Sequence, residues 1–192
     1  MKRTMGLILV LAAGTLATAC TNKQGETEAP VYLTVNIPEQ PGFVDISVPA
    51  AVQIQTIQLQ SHLKDPTASD PQGFNTVTIE NYTVTYRRTD GGTTVPPMQS
   101  FGGGVIVTAG GNATLSNYPV MYASAVQGTP FDQLLPYNGG VDRQTGKTEI
   151  DTAFDITFFG HTASGMRVQS ETASGILIFR YGPSAAGTRP KK

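Results

Sequence analysis

From Val31 to Phe179 apolar residues return at every second position, in run after run, and proline, glycine or aspartate cuts most runs off. That period belongs to a strand with one buried and one wet face, because successive side chains of an extended chain point to opposite sides. Val31, Leu33, Val35 and Ile37 alternate with Tyr32, Thr34 and Asn36 and stop at Pro38; Phe43 to Val48 repeats the pattern before Pro49. A chain patterned in this way has to pair its strands into sheets and stack their apolar faces. Glycine and proline, 21 and 13 of the 192 residues, supply the turns, and an apolar content of 39% provides for a core and argues against disorder.

In two places the inward face changes parity. Val52 and Ile54 share one parity and Ile57, Leu59 and Leu63 the other, which predicts a bulge near Gln55 and Thr56. Val77 and Ile79 give way to Tyr82, Val84 and Tyr86 across Glu80-Asn81, which predicts a second. Asp90-Gly91-Gly92 reads as a turn, with Asp65, Asp70 and Asp90 as isolated turn residues that bond the local backbone. Gly102 to Gly104 reads as a flexible turn before a short strand, Val105 to Thr108, and Gly110-Gly111 precedes strands at Ala113 to Tyr118 and Val120 to Val126. Thr129 as N-cap, Pro130 at the first position and Asp132 at the third predict a short crossover helix that stops at Pro136.

Further on, Ile150, Phe154, Ile156 and Phe158 face opposite Glu149, Asp151 and Asp155. A turn at 161–165 leads to a last strand, Met166 to Tyr181, whose Ile176-Leu177-Ile178-Phe179 is apolar on both faces and predicts a central position. About nine strands and one short helix make this an all-β, antiparallel sandwich. The ending DITFFGHTASGMRVQSETASGILIFRYG resembles the last two strands of bacterial immunoglobulin-like or fibronectin-type extracellular modules, and the resemblance implies an immunoglobulin-like β-sandwich.

The beginning of the chain carries a different signal. Lys2 and Arg3, the apolar run Met5 to Ala13, and small residues at Ala17 and Ala19 read as an export signal over 1–19, with cleavage before Cys20. The apolar stretch is too short to span a bilayer, which takes about 18 residues or more. Cys20 is the one cysteine in the chain, so a thiol left there would have no intramolecular partner. Leu16-Ala17-Thr18-Ala19-Cys20 resembles the junction of bacterial lipoproteins, with leucine one place further from the cysteine than that pattern usually has it. The resemblance implies a lipid on Cys20, and several acyl chains anchor stably where one does so marginally. In the resembling lipoproteins of two-membraned bacteria an aspartate after the cysteine favours the inner membrane, so with Thr21 in that place the resemblance implies the outer membrane. The expected organisation is a signal peptide at 1–19, a lipidated N-terminus and tether at 20–29, a β-sandwich at 30–181 and a tail at 182–192.

Chemistry is sparse in what remains. Without Lys2 and Arg3 the chain keeps eleven Lys and Arg against fourteen Asp and Glu, with no basic stripe, which argues against a nucleic-acid partner. No Gly-x-Ser-x-Gly elbow occurs, and His62 and His161, the only histidines, lack zinc-site spacing, so no catalytic residue, metal or cofactor is expected. An envelope hydrolase would need one of them beside a carboxylate and a nucleophile. Gly102-Gly103-Gly104 lacks the lysine of a phosphate loop. Glu149, Asp151 and Asp155 form a weak calcium candidate, with Asp142 in a nearby loop, because carboxylates about 6.6 Å apart along a strand cannot converge on one ion unaided. Tyr82 and Tyr86, about 13 Å apart on one face, could form a ligand platform for sugars, although Val84 between them points to the core and the absence of tryptophan weakens a carbohydrate-binding module. The expected function is a lipid-anchored, non-catalytic interaction or structural module of the cell envelope, contacting a protein or polysaccharide through loops 89–104 and 136–147.

Overall fold

The computed structural model describes residues 29–39 and 42–182. Cys20, Ala17, Ala19 and the signal, together with the tether up to residue 28 and the tail from residue 183, lie outside the described residues. Strands dominate: β1 (Val31–Asn36), β2 (Phe43–Asp45), β3 (Val52–Leu63), β4 (Val77–Arg88), β5 (Gln99–Val107), β6 (Asn112–Met121), β7 (Glu149–Thr162), β8 (Arg167–Gln169) and β9 (Ala173–Arg180). They form two sheets, one in the order β1-β3-β6 and one in the order β2-β9-β7-β4-β5 with β8 paired to β7.

The pairing is antiparallel except at the ends of the chain. There β2 runs parallel to β9, with Phe43 opposite Ile178 and Asp45 opposite Arg180, and an isolated parallel bridge joins Leu33 of β1 to Ser170. The expectation of a wholly antiparallel sandwich is corrected on this point. The Ser170 detour also divides the expected last strand into β8 and β9, with the Glu171 N–H donating to the Leu33 carbonyl at 2.9 Å. Ala29 is already fully buried, so the packed domain starts one residue before Pro30.

The bulge at Glu80 is present: the register of β4 shifts between Ile79 and Asn81 against both β5 and β7. It explains the glycines beside it. A Cβ on Gly103 would stand 2.6 Å from the Ile79 carbonyl oxygen, and one on Gly160 would stand 2.1 Å from that of Thr78. Gly102 to Gly104 is part of β5 and not a turn, and at Gly103 the bulged backbone approaches too closely for a side chain. In β3 burial does change parity at Gln55-Thr56, yet the register shift falls at Val52/Gln53. Between Ser116 and Tyr118, the residues paired to Thr56 and Ile54, Asn117 takes a left-handed φ of 56°, so the partner strand carries the distortion.

Between β6 and β7 the chain is helical in short pieces. Pro119 did not split the strand as expected; β6 runs through to Met121, and Ala123–Val126 is a four-residue helix, α1, rather than strand. The expected helix at 129–135 is a 3-10 turn, Phe131–Leu134, preceded by a cis Thr129-Pro130 bond, and its N-cap position is Pro130 with no side-chain cap, so Thr129 does not serve as one. The turn still does structural work, because Phe131 stacks on Phe179 of β9, ring centroids 3.7 Å apart, and is fully buried.

The core lies between the sheets. Its centre is Tyr82 of β4, whose ring meets Phe101 and Phe158 in the same sheet, each at 5.1 Å, and Tyr118 in the facing sheet at 5.4 Å. Leu177 and Phe179 of β9 are buried, while Ile176 on the opposite face is half exposed, so the outer face of this strand is less covered than its composition suggests.

Candidate functional site

The long connections that follow β4 and β6 meet at one end of the sandwich, and a buried ion cluster joins them there. Arg88, the last residue of β4, continues the inward parity of Tyr82, Val84 and Tyr86, so its guanidinium points into the protein. A cation there requires partners, since desolvating a charge without compensation is costly. Asp90 provides the first: Arg88 Nε donates to Asp90 Oδ1 and Nη2 to Oδ2, each at 2.7 Å. Asp142, 54 positions away, provides the second, accepting from Nη2 at 2.9 Å on Oδ2. All three side chains are essentially out of solvent.

The surrounding backbone adds to the cluster, while Arg88 Nη1 and Asp142 Oδ1 are buried without a hydrogen-bond partner among the described residues. Asp90 also accepts the N–H groups of Gly92 and Asp151, both at 3.1 Å. Asp142 accepts the Thr145 N–H at 3.0 Å and its hydroxyl at 2.7 Å, which folds 142–147 into a tight turn. Burial pushes the Asp90 carboxyl up, but the Arg88 hydrogen bonds, the two N–H groups and the guanidinium charge outweigh it and hold the group at about 2. Asp142 moves the same way: burial raises it, and Arg88 and Thr145 more than compensate. Gln144 adds a second tie, accepting the N–H groups of Thr93 and Thr94 at 2.8 and 3.0 Å. The loops 89–98 and 136–148 are thus clamped to one another while their apolar residues Met98 and Tyr137 stand 63% and 80% exposed.

This arrangement differs from the sequence expectation, in which Asp90 is an isolated turn residue and Asp142 a loop carboxylate near the weak calcium candidates. Asp65 and Asp70 do act locally, Asp65 on Thr67 and Asp70 on the N–H groups of Phe74 and Asn75. Of the loop expected at 89–104, residues 99–104 belong to β5.

The ligand platform is overturned. Tyr82 is fully buried and Tyr86 9% exposed, and their hydroxyls donate to the carbonyls of Pro119 and Val120 across the sandwich. Burial raises both phenols above their ordinary range. These rings join the sheets and offer no face to a sugar. Glu149, Asp151 and Asp155 do not converge: Asp155 accepts the Ser174 hydroxyl and lies 3.9 Å from Arg87, Asp151 gives its backbone N–H to Asp90, and Glu149 is exposed at the strand end. Among the described residues no three His, Cys, Asp or Glu side chains gather closely enough for a metal ion.

The histidines hold separate halves of an acid–base arrangement. His62 Nε2 lies 3.0 Å from the Thr34 hydroxyl in one sheet, and His161 Nδ1 lies 3.2 Å from Glu80 in the other. Among the described residues neither joins hydroxyl, imidazole and carboxylate in one chain of contacts, and no helix is long and apolar enough to cross a membrane.

Comparison with protein-family models, with characterised proteins and with solved structures finds no match.

Proposed function

We propose that the chain is a lipid-anchored, non-catalytic interaction or structural module of a bacterial cell envelope, in the outer membrane rather than the inner, with Cys20 carrying the lipid. The observation that carries this reading is an opposition of ends. The described chain enters at Ala29 and Pro30, where the Lys64 N–H donates to the Pro30 carbonyl at the β3 end of the domain. The clamped loops 89–98 and 136–148 lie at the other end, beyond Arg88. Twelve residues of β4 separate the two ends, about 40 Å at about 3.3 Å per residue. An acylated N-terminus would hold one end at the bilayer and turn the fixed loops, with Met98 and Tyr137 exposed, toward a protein or polysaccharide partner.

The sandwich is of immunoglobulin-like type in this reading. Its strand orders β1-β3-β6 and β2-β9-β7-β4-β5 support it, with the N-terminal strands divided between the sheets and the second lying along the last strand of the chain.

Metabolic labelling with a fatty acid in the native host tests the anchor. Wild type is expected to take up label and sediment with membranes, and Cys20→Ala to lose both; equal labelling and equal fractionation of the two overturn the proposal.

A further inference from the structure

The two sheets present unlike outer faces to solvent. That of the six-stranded sheet carries Arg87, Asp151, Asp155, Glu80 and His161. That of the three-stranded sheet carries no Asp, Glu, Lys or Arg along its paired strands. The register arranges its side chains in rows across all three strands: Thr34, Gln60 and Asn112 stand in one, Asn36, Gln58 and Thr114 in the next. These six residues line a shallow groove of about 240 Å³. Tyr32 and His62 stack at its end, ring centroids 4.8 Å apart and 16° from parallel.

We infer that this face is a binding site for a neutral polysaccharide. The argument is one of matched chemistry. A carboxamide offers two N–H donors and a carbonyl acceptor, and a hydroxyl offers both roles, so a field of Asn, Gln and Thr mirrors the paired donor and acceptor capacity of sugar hydroxyls. Rows about 4.8 Å apart across strands and about 6.6 Å apart along them repeat these groups over an extended chain rather than at a point. A charged ligand would find no counter-charge here, whereas charge-assisted bonds are what recognise sulfate, phosphate or uronate groups. The face retains bonding capacity: Asn36 Nδ2 donates to Gln58 Oε1 at 3.2 Å and Thr34 meets His62, while the side chains of Gln60, Asn112 and Thr114 hydrogen-bond to no other described residue. The Tyr32–His62 pair adds a partly exposed aromatic wall against which a sugar ring can pack. This site lies on the side of the sandwich, away from the loop end, and does not depend on the lipid anchor.

The test uses the full chain with cellohexaose, maltohexaose and chitohexaose as neutral probes and hexagalacturonate as the anionic control, read by calorimetry and by nuclear magnetic resonance shifts. At least one neutral hexasaccharide is expected to bind with a dissociation constant of about 0.1–1 mM, as befits a shallow wet site. The shifts should map to Tyr32, Gln58, Gln60 and Asn112. The double variant Gln58→Ala/Gln60→Ala, at exposed positions, should unfold at the same temperature and bind about tenfold more weakly. Binding of no neutral probe overturns the inference, as does stronger binding of hexagalacturonate or equal affinity in the double variant. Self-association in sedimentation that the double variant abolishes would assign the face to a second copy of the chain instead.

Discussion

Arg88 grips Asp90 through two parallel N–H···O contacts of 2.7 Å across a two-residue separation, with both side chains sealed from water. A bidentate pair of this kind is strong when complete and costly when broken, because removing one partner leaves a buried charge without compensation. Asp142 adds the third charge and joins a loop from the other half of the chain.

Removing one carboxylate is therefore expected to destabilise the fold far more than a surface substitution. Asp90→Ala should lower the unfolding free energy by about 3–5 kcal/mol in urea titration. Asp151→Ala, whose backbone N–H still reaches Asp90, should change it by about 0.5 kcal/mol or less.

Acid should act through the same pair. Asp90 has a folded-state pKa of about 2 against an ordinary 3.8. The unfolded chain therefore takes up the proton first as pH falls. The stability from the Arg88–Asp90 contact is fully present above about pH 4 and is lost between there and about pH 2. Unfolding free energies measured at pH 5, 3 and 2 should fall steeply in wild type and less steeply in Asp90→Asn; equal slopes would remove Asp90 from the account.

The bulge at Glu80 makes a sharper steric prediction. Gly160→Ala places a methyl 2.1 Å from a backbone oxygen and should cost about 3 kcal/mol or more in thermal or chemical unfolding. Gly103→Ala, at 2.6 Å, should cost less, and Gly102→Ala, with nothing within 4 Å, should be tolerated by comparison.

Tyr82 and Tyr86 should behave as ties between sheets. Tyr86→Phe deletes the donor to the buried Val120 carbonyl and should cost about 1–3 kcal/mol. Tyr82→Ala, which empties a site ringed by Phe101, Tyr118 and Phe158, should cost about 3–5 kcal/mol. Denaturant titration checks both, and a near-neutral Tyr82→Ala would remove that ring from the centre of the core.

The alternation of apolar residues shows most strands directly, because half-burial of a sheet is a local property of spacing, and the face change across Glu80 could be read from Ile79 and Tyr82 alone. Arg88 was not singled out, although a cation two places beyond Tyr86 on the inward parity is a readable signal. Its partner Asp142, 54 positions away, was hidden, since only the pairing of β4 with β7 brings it near. The same reason hid the parallel β2–β9 pairing, which joins opposite ends of the chain. Gly102 to Gly104 misled because glycine clusters usually mark turns, and only the bulged neighbour shows why this one lies in a strand. The uncharged face is written along β3 as Gln53, Gln55, Gln58 and Gln60, but its rows required the partners Asn36, Thr34, Asn112 and Thr114 to be placed beside it.

The parallel run of β2 along β9 also decides how the domain would bear tension. A pull that draws the front of the chain away from its far end slides these strands lengthwise, so the Ile46–Arg180 and Ile178–Gly42 backbone bonds are strained together rather than peeled one by one. Loaded in shear, a short ladder yields at higher force than a longer one that unzips, which makes this small seam a mechanical clasp.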